Sequence, residues 1–152
     1  MLSHIHLFWW RWLLVVTIVL VTLSLSFIIL PNVMHDIFST LFFSSSKTNT
    51  FFSDDARKYI IVVYRVLGAV MVGWSVALLC ILSGPFRRGD REAWYAIALS
   101  IGIWFVLDTG FSFYSGFVAN IILNTVFFIF FAVPLTATYR HFHKVYQKVY
   151  NE

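Results

Sequence analysis

Four stretches of the chain stay apolar for longer than a soluble core helix needs, and the polar residues gather between them. Residues 12–30, WLLVVTIVLVTLSLSFIIL, carry no charge and would make about 28 Å of helix, enough to cross a hydrocarbon core of roughly 30 Å. Comparable runs occupy residues 59–82, 94–114 and 117–139. The second and third are separated by GPFRRGDRE at residues 84–92, whose Gly84, Pro85 and Gly89 signal a tight turn. The third and fourth are separated only by Ser115 and Gly116, which forces a helical hairpin. The pattern predicts an all-α polytopic membrane protein, an antiparallel four-helix transmembrane bundle filling a single membrane domain over residues 1–152.

The longest hydrophilic connection, residues 31–57, holds a Ser/Thr/Asn run at residues 44–50 and reads as an exposed extracytoplasmic loop. Its Phe38, Leu41, Phe42, Phe43, Phe51 and Phe52 would sit badly in water, so parts of it are expected to rest on the membrane interface or cap the bundle. The first apolar run has two readings. Trp9, Trp10 and Trp12 with Arg11 resemble the belt and cationic anchor of a spanning helix that Pro31 closes. Ser24 and Ser26 imitate the small residues of a signal-peptide cleavage site, which would remove about residues 1–26. The apolar core is longer than a signal core and continues through Phe27 to Leu30, which favours the anchor.

Composition agrees with the pattern and narrows the function. Charged residues are 12% of the chain, about half of the roughly 25% usual in soluble domains, and mean hydropathy is +0.81. Four spans use nearly all the length, leaving no room for a soluble catalytic domain, a dinucleotide fold or an ATP-binding motor. The net charge of +4 does not point to nucleic acid, because the basic residues bracket the spans instead of covering a water-facing surface. Arg11, Arg87, Arg88, Arg91, Arg140, Lys144 and Lys148 fall to one side; Lys47, Arg57 and Lys58, offset by Asp36, Asp54 and Asp55, fall to the other. The positive-inside rule then predicts both termini in the cytoplasm and the 84–92 loop on the same side. In the tail, residues 140–152, Phe142, Val145, Tyr146, Val149 and Tyr150 share one helical face while Arg140, Lys144 and Lys148 recur every four residues on another. This predicts an amphipathic interfacial helix on anionic lipid headgroups.

Ionisable residues inside spans are costly, about 2.5 to 3.5 kcal/mol each on insertion scales, and so mark candidate sites. Arg65 and Asp108 qualify. Counted from the outer ends of their helices they lie at similar depth, about 9 to 10 Å in, and Asn124, with Asn120 one turn above it, joins them. Arg65 also begins a row with Ala69, Gly73 and Ala77 at every fourth position, which predicts close helix packing along that face and an inward-pointing arginine. The layer Arg65, Asp108, Asn120 and Asn124 is either an ion pair that fixes helix register or a small polar pocket for a ligand. A catalytic residue is not identifiable, since a lone aspartate among asparagines lacks a nucleophile paired with a base. His4 with His6 and His141 with His143 stand two apart, pointing to opposite sides of a helix, so no metal is expected. The lone Cys80 supports neither a disulfide nor a metal cluster. Pro134 is expected to kink the fourth helix. No cofactor is implied.

RVLGAVMVGWSVALL at residues 65–79, GPFRRGDREAW, WFVLDTGFS and NIILNTVFFIFFAVPL resemble small four-helix bacterial membrane proteins of the DoxX-like group, over roughly residues 58–140. The resemblance implies a bacterial inner membrane and brings no catalytic residue. The function expected is that of a non-enzymatic accessory or small-ligand or lipid-binding protein of the membrane. The alternatives are a small transporter or channel subunit and, behind it, a membrane-embedded enzyme.

Overall fold

The structure, a computed structural model, describes the backbone of residues 4–43 and 53–150 and the side chains of residues 7–42 and 53–142. Among the described residues it is entirely helical: α1 (His4–Ile29), α2 (Pro31–Phe43), α3 (Asp54–Ile81), α4 (Arg91–Tyr114) and α5 (Val118–Tyr150). Four segments are long and apolar enough to cross a membrane: Leu7–Ile29, Asp54–Phe86, Arg91–Tyr114 and Val118–Phe142.

The helix ends follow from local chemistry. Ser53 caps α3 by accepting the Ala56 N–H at 3.3 Å, and Asp90 caps α4 by accepting the Glu92 N–H at 2.9 Å. Gly89 and Gly116 hold φ of +85° and +75°, a region that side chains avoid, at the two tight connections. The first connection is shorter than residues 84–92. Leu82–Phe86 continues α3 as a π-helical turn containing Gly84 and Pro85, so the chain reverses only at Gly89 and Asp90. Trp10 Nε1–H donates to the Leu82 carbonyl in that turn at 2.8 Å, where backbone bonding departs from the α pattern.

Residues 31–57 are not simply a hydrophilic loop, because Pro31–Phe43 is a helix. Proline suits a first helical position, its missing N–H being one of those left unpaired at a helix start. Pro31, Met34, His35 and Ser39 are buried and Phe38 and Phe42 half-buried, the spacing of one helical face. Phe38 meets Phe27 of α1 at 5.4 Å and Tyr64 of α3 at 6.3 Å, and Phe42 meets Phe117 beside the α4–α5 turn at 5.2 Å. Thus α2 packs across one end of the bundle.

The core gathers toward the opposite end. Leu13, Leu82, Phe86 and Ile97 are fully buried, and Phe86 packs on Phe142 at 4.8 Å. Helices α1 and α3 meet at Gly68, where an added Cβ would lie 2.8 Å from both the Phe27 Cβ and the Ser24 carbonyl oxygen. Helix α4 packs on α5 through Phe105 and Phe128, stacked at 4.2 Å. Pro134 does not interrupt α5, which runs as one element through it. Proline cannot donate to the carbonyl four residues back, Phe130, and the Trp12 indole N–H supplies that bond at 3.1 Å.

Candidate functional site

Helices α3 and α4 are held apart by their tighter pairings with α1 and α5, and meet chiefly where the Trp74 and Trp104 rings lie 6.1 Å apart. Between them opens a cavity of about 550 Å³. Its wall is apolar for most of its extent: Leu20, Leu23 and Phe27 of α1, Phe38 of α2, Leu67, Val70, Met71 and Trp74 of α3, Ile103 and Trp104 of α4, and Leu123, Phe127 and Phe131 of α5. Polar groups enter from α4 and α5 as Ser100, Asp108, Asn120 and Asn124.

The polar corner holds two hydrogen-bonded groups. The Asn120 amide donates to Asp108 Oδ1 at 3.1 Å and to Ser112 Oγ at 2.7 Å, using its two N–H groups. Ser112 donates to its own helix, at the Asp108 carbonyl, 2.7 Å away. Asn124, buried, donates to Thr109 Oγ1 at 3.4 Å. Asp108 Oδ2 has no hydrogen-bond partner among the described residues. Asp108 is also the one charged side chain among those lining the cavity.

Three of the four residues of the expected layer, Asp108, Asn120 and Asn124, therefore come together, and Arg65 does not join them. Among the described residues Arg65 is exposed and has no ion-pair partner, and the salt bridge is Lys58–Asp55, on the surface. Depth and azimuth both separate Arg65 from Asp108. The Trp74–Trp104 contact sets the relative height of α3 and α4, and Val70, four residues from Trp74, stands level with Asp108, four residues from Trp104, both lining the cavity. Arg65 lies five residues beyond Val70, about 8 Å further along the helix. Ala69, Gly73 and Ala77 are exposed with it, and an added Cβ at Gly73 meets nothing within 4 Å. The packed row of α3 is Gly68, Ser75 and Leu78, which at about 100° per residue lies on roughly the opposite side of the helix from the expected face.

Ser112, Thr109 and the α2 residues His35 and Ser39 belong to this end of the molecule and are not among the residues singled out from the sequence, whereas Phe38 and Phe42 are two of the aromatics expected to cap the bundle. Ser112 follows Asp108 by one helical turn, a legible signal. The P-x-x-M-H-x-x-F-S-x-x-F spacing of α2 was equally legible as an amphipathic helix. Other hydroxyls of the long apolar helices bond their own helix: Thr17 donates to the Leu13 carbonyl at 2.7 Å, Ser24 to Leu20 at 2.6 Å, and Ser75 to Met71.

In the tail, α5 is helical to Tyr150 and Arg140 is exposed, while the side chains of Lys144 and Lys148 lie outside the described residues, as do those of His4, His6 and His143. The His141 ring lies 5.8 Å from Phe142. Compared with protein-family models, curated proteins and solved structures, the chain matches none of them.

Proposed function

We propose that this is a multi-pass membrane protein that holds a small amphiphile, with the apolar part in the α3–α4 cavity and a hydrogen-bond-donating head at Asp108. The observation that carries this reading is the pairing of an apolar wall with one carboxylate whose second oxygen is unused. A carboxylate only accepts hydrogen bonds, so the head it favours is a hydroxyl or an amine, and like charge disfavours an anionic one. Exposure at the cavity mouth supports entry from the bilayer: Val70 is 66% and Ile103 59% exposed, which suits lipid and not water.

In this reading the four spans cross a bacterial inner membrane in alternating directions, with both termini and Arg87, Arg88 and Arg91 in the cytoplasm. The DoxX-like resemblance and the charge asymmetry support that placement. Helix α2 then lies at the outer interface, its exposed Val33, Ile37 and Leu41 toward lipid and its Asn32, Asp36 and Thr40 toward headgroups. The basic tail follows α5 onto the cytoplasmic leaflet. A channel or transporter subunit is the weaker alternative, because the buried positions of α5 beyond Asn124 are Phe131, Pro134, Leu135, Thr138 and Phe142, and the Thr138 hydroxyl is bonded to the Pro134 carbonyl at 2.8 Å. An accessory role, presenting the bound amphiphile to a partner, accommodates the absence of a reactive pair at the site.

Trp74 and Trp104 line the cavity and report on it. In detergent, 11-bromoundecanol should quench tryptophan emission saturably, 11-bromoundecanoate less so, and Asp108→Leu should abolish the difference. The saturable component should vanish in a Trp74→Phe/Trp104→Phe protein. Quenching by alcohol and carboxylate that is equal and unaltered by Asp108→Leu would overturn the reading. For orientation, single cysteines replacing Arg57 and Arg88 in a Cys80→Ser background should react from opposite sides of the membrane; both reacting from one side would reject the four-span arrangement.

A further inference from the structure

A second cavity, about 520 Å³, lies on the other side of α5, between α5 and α1, with Phe127 forming part of the wall of both cavities. Its polarity is the reverse of the first. Arg11 is the charged residue on its rim, and below it the lining is Trp12, Val15, Val16 and Val19 from α1 with Phe127 and Phe130 from α5. From Arg11 to Val19 the groove follows about 12 Å of helix, close to the thickness of one leaflet of a hydrocarbon core of about 30 Å. It is therefore long, open to the side and able to take most of the length of one acyl chain, with a cation at its headgroup end.

Bonds and ring contacts fix the surroundings of the groove. Trp12 Nε1–H is committed to the Phe130 carbonyl that Pro134 leaves unpaired, which pins α1 to α5 at the rim. Arg87 lies over the Trp10 ring at 4.9 Å, and Arg91 lies over Tyr95 at 5.2 Å with a hydrogen bond to its hydroxyl. Arg11, also exposed, has neither an acidic nor an aromatic partner among the described residues. Guanidinium offers a planar fork of donors that matches a phosphate oxygen pair.

We propose that the α1–α5 groove is a binding site for one anionic phospholipid of the leaflet on the Arg11 side, with an acyl chain along Val15 and Val19 and the phosphate on Arg11. This site does not depend on the amphiphile proposed for the α3–α4 cavity, whose head sits on a carboxylate and whose wall faces α3.

The test is native mass spectrometry of the full chain released from nanodiscs holding equal phosphatidylglycerol and phosphatidylcholine of matched chains. One phosphatidylglycerol should be retained about fivefold over phosphatidylcholine, the ratio given by roughly 1 kcal/mol for one arginine at the membrane surface. Arg11→Gln should remove the preference and Arg11→Lys should keep most of it. Val15→Trp, which fills the groove and leaves Arg11 in place, should reduce retention of both lipids. Arg88→Gln, an exposed charge outside the groove, should leave the ratio unchanged. Equal retention of the two lipids by the unaltered protein would overturn the proposal and needs no variant to fold. So would a preference that survives Arg11→Gln or falls equally with Arg88→Gln, since either outcome assigns it to diffuse surface charge. Asp108→Leu should not alter the ratio, which keeps failure here separate from failure of the amphiphile reading.

Discussion

The two ends of this bundle use the same kinds of helix and reach opposite results. At the end formed by Trp10, Phe86 and Phe142, large side chains interlock with little exposure, and indole N–H groups donate to the Leu82 carbonyl in the π-helical turn and to the Phe130 carbonyl that Pro134 leaves without its helical donor. At the end capped by α2, α3 leans on α1 through Gly68 and α4 on α5 through Phe105, so no side chain fills the gap between α3 and α4. Polar residues are confined to one wall of that gap, where Asn120 bonds Asp108 and Ser112 and one Asp108 oxygen is left over. Interlocked packing seals one end, and pairwise preference for outer neighbours opens the other.

The largest expected effect tests the sealed end. Phe86→Ala should lower stability in detergent by about 3 to 5 kcal/mol, the range for a fully buried aromatic cut to alanine. Leu123→Ala, on the wall of an existing cavity, should lose clearly less because it enlarges a space that is already open. Equal losses, read as unfolding midpoints in one detergent, would erase the distinction between the ends.

Next comes the contact that positions α3. Gly68→Val should destabilise by about 1 to 3 kcal/mol, since even its Cβ would meet backbone at Ser24 and the Cβ of Phe27. Gly73→Val should be nearly neutral, having nothing within 4 Å of the new Cβ. A reversal of that order would return the small-residue row to the interior.

The Pro134 arrangement predicts a coupling of about 0.5 to 1.5 kcal/mol, the net worth of one hydrogen bond. Trp12→Phe should cost stability in the native protein and less in a Pro134→Ala background, where the backbone N–H gained at that position can reach the Phe130 carbonyl. A double-mutant cycle measures it, and zero coupling would mean that the indole bond is incidental.

The smallest effect is expected at Arg65. Arg65→Met should change stability by no more than about 0.5 kcal/mol, and its effect should add to that of Asp108→Leu. Rescue of one substitution by the other would require a contact that the exposed position of Arg65 excludes.

Much of the fold was legible along the chain. The four apolar runs correspond to helices, and Gly89 and Gly116 mark the reversals. The polar corner was partly legible as well, because Asp108 and Asn120 flank a connection too short to separate them. Residues 31–43 read as a loop when polar content is weighed before spacing, although the spacing describes a helix. Arg65 is misplaced for a different reason. Two faces of α3 carry small residues, one with Gly68 and Ser75 and the other with Ala69, Gly73 and Ala77, and the regular four-residue spacing of the second does not make it the packed one.

The sequence by itself determined that the chain is helical, where its long apolar segments run and which charges lie between them, because these depend on hydropathy, reach and backbone propensity within each segment. Only the tertiary structure decided which face of α3 is packed, that Asp108 answers to Asn120 and not to Arg65, and that a cavity remains between α3 and α4. Those outcomes turn on which neighbour a helix approaches more closely. In a bundle whose exposed surface is almost as apolar as its core, hydrophobicity does not separate inside from outside, and shape complementarity at contacts such as Gly68 against Ser24 makes the choice.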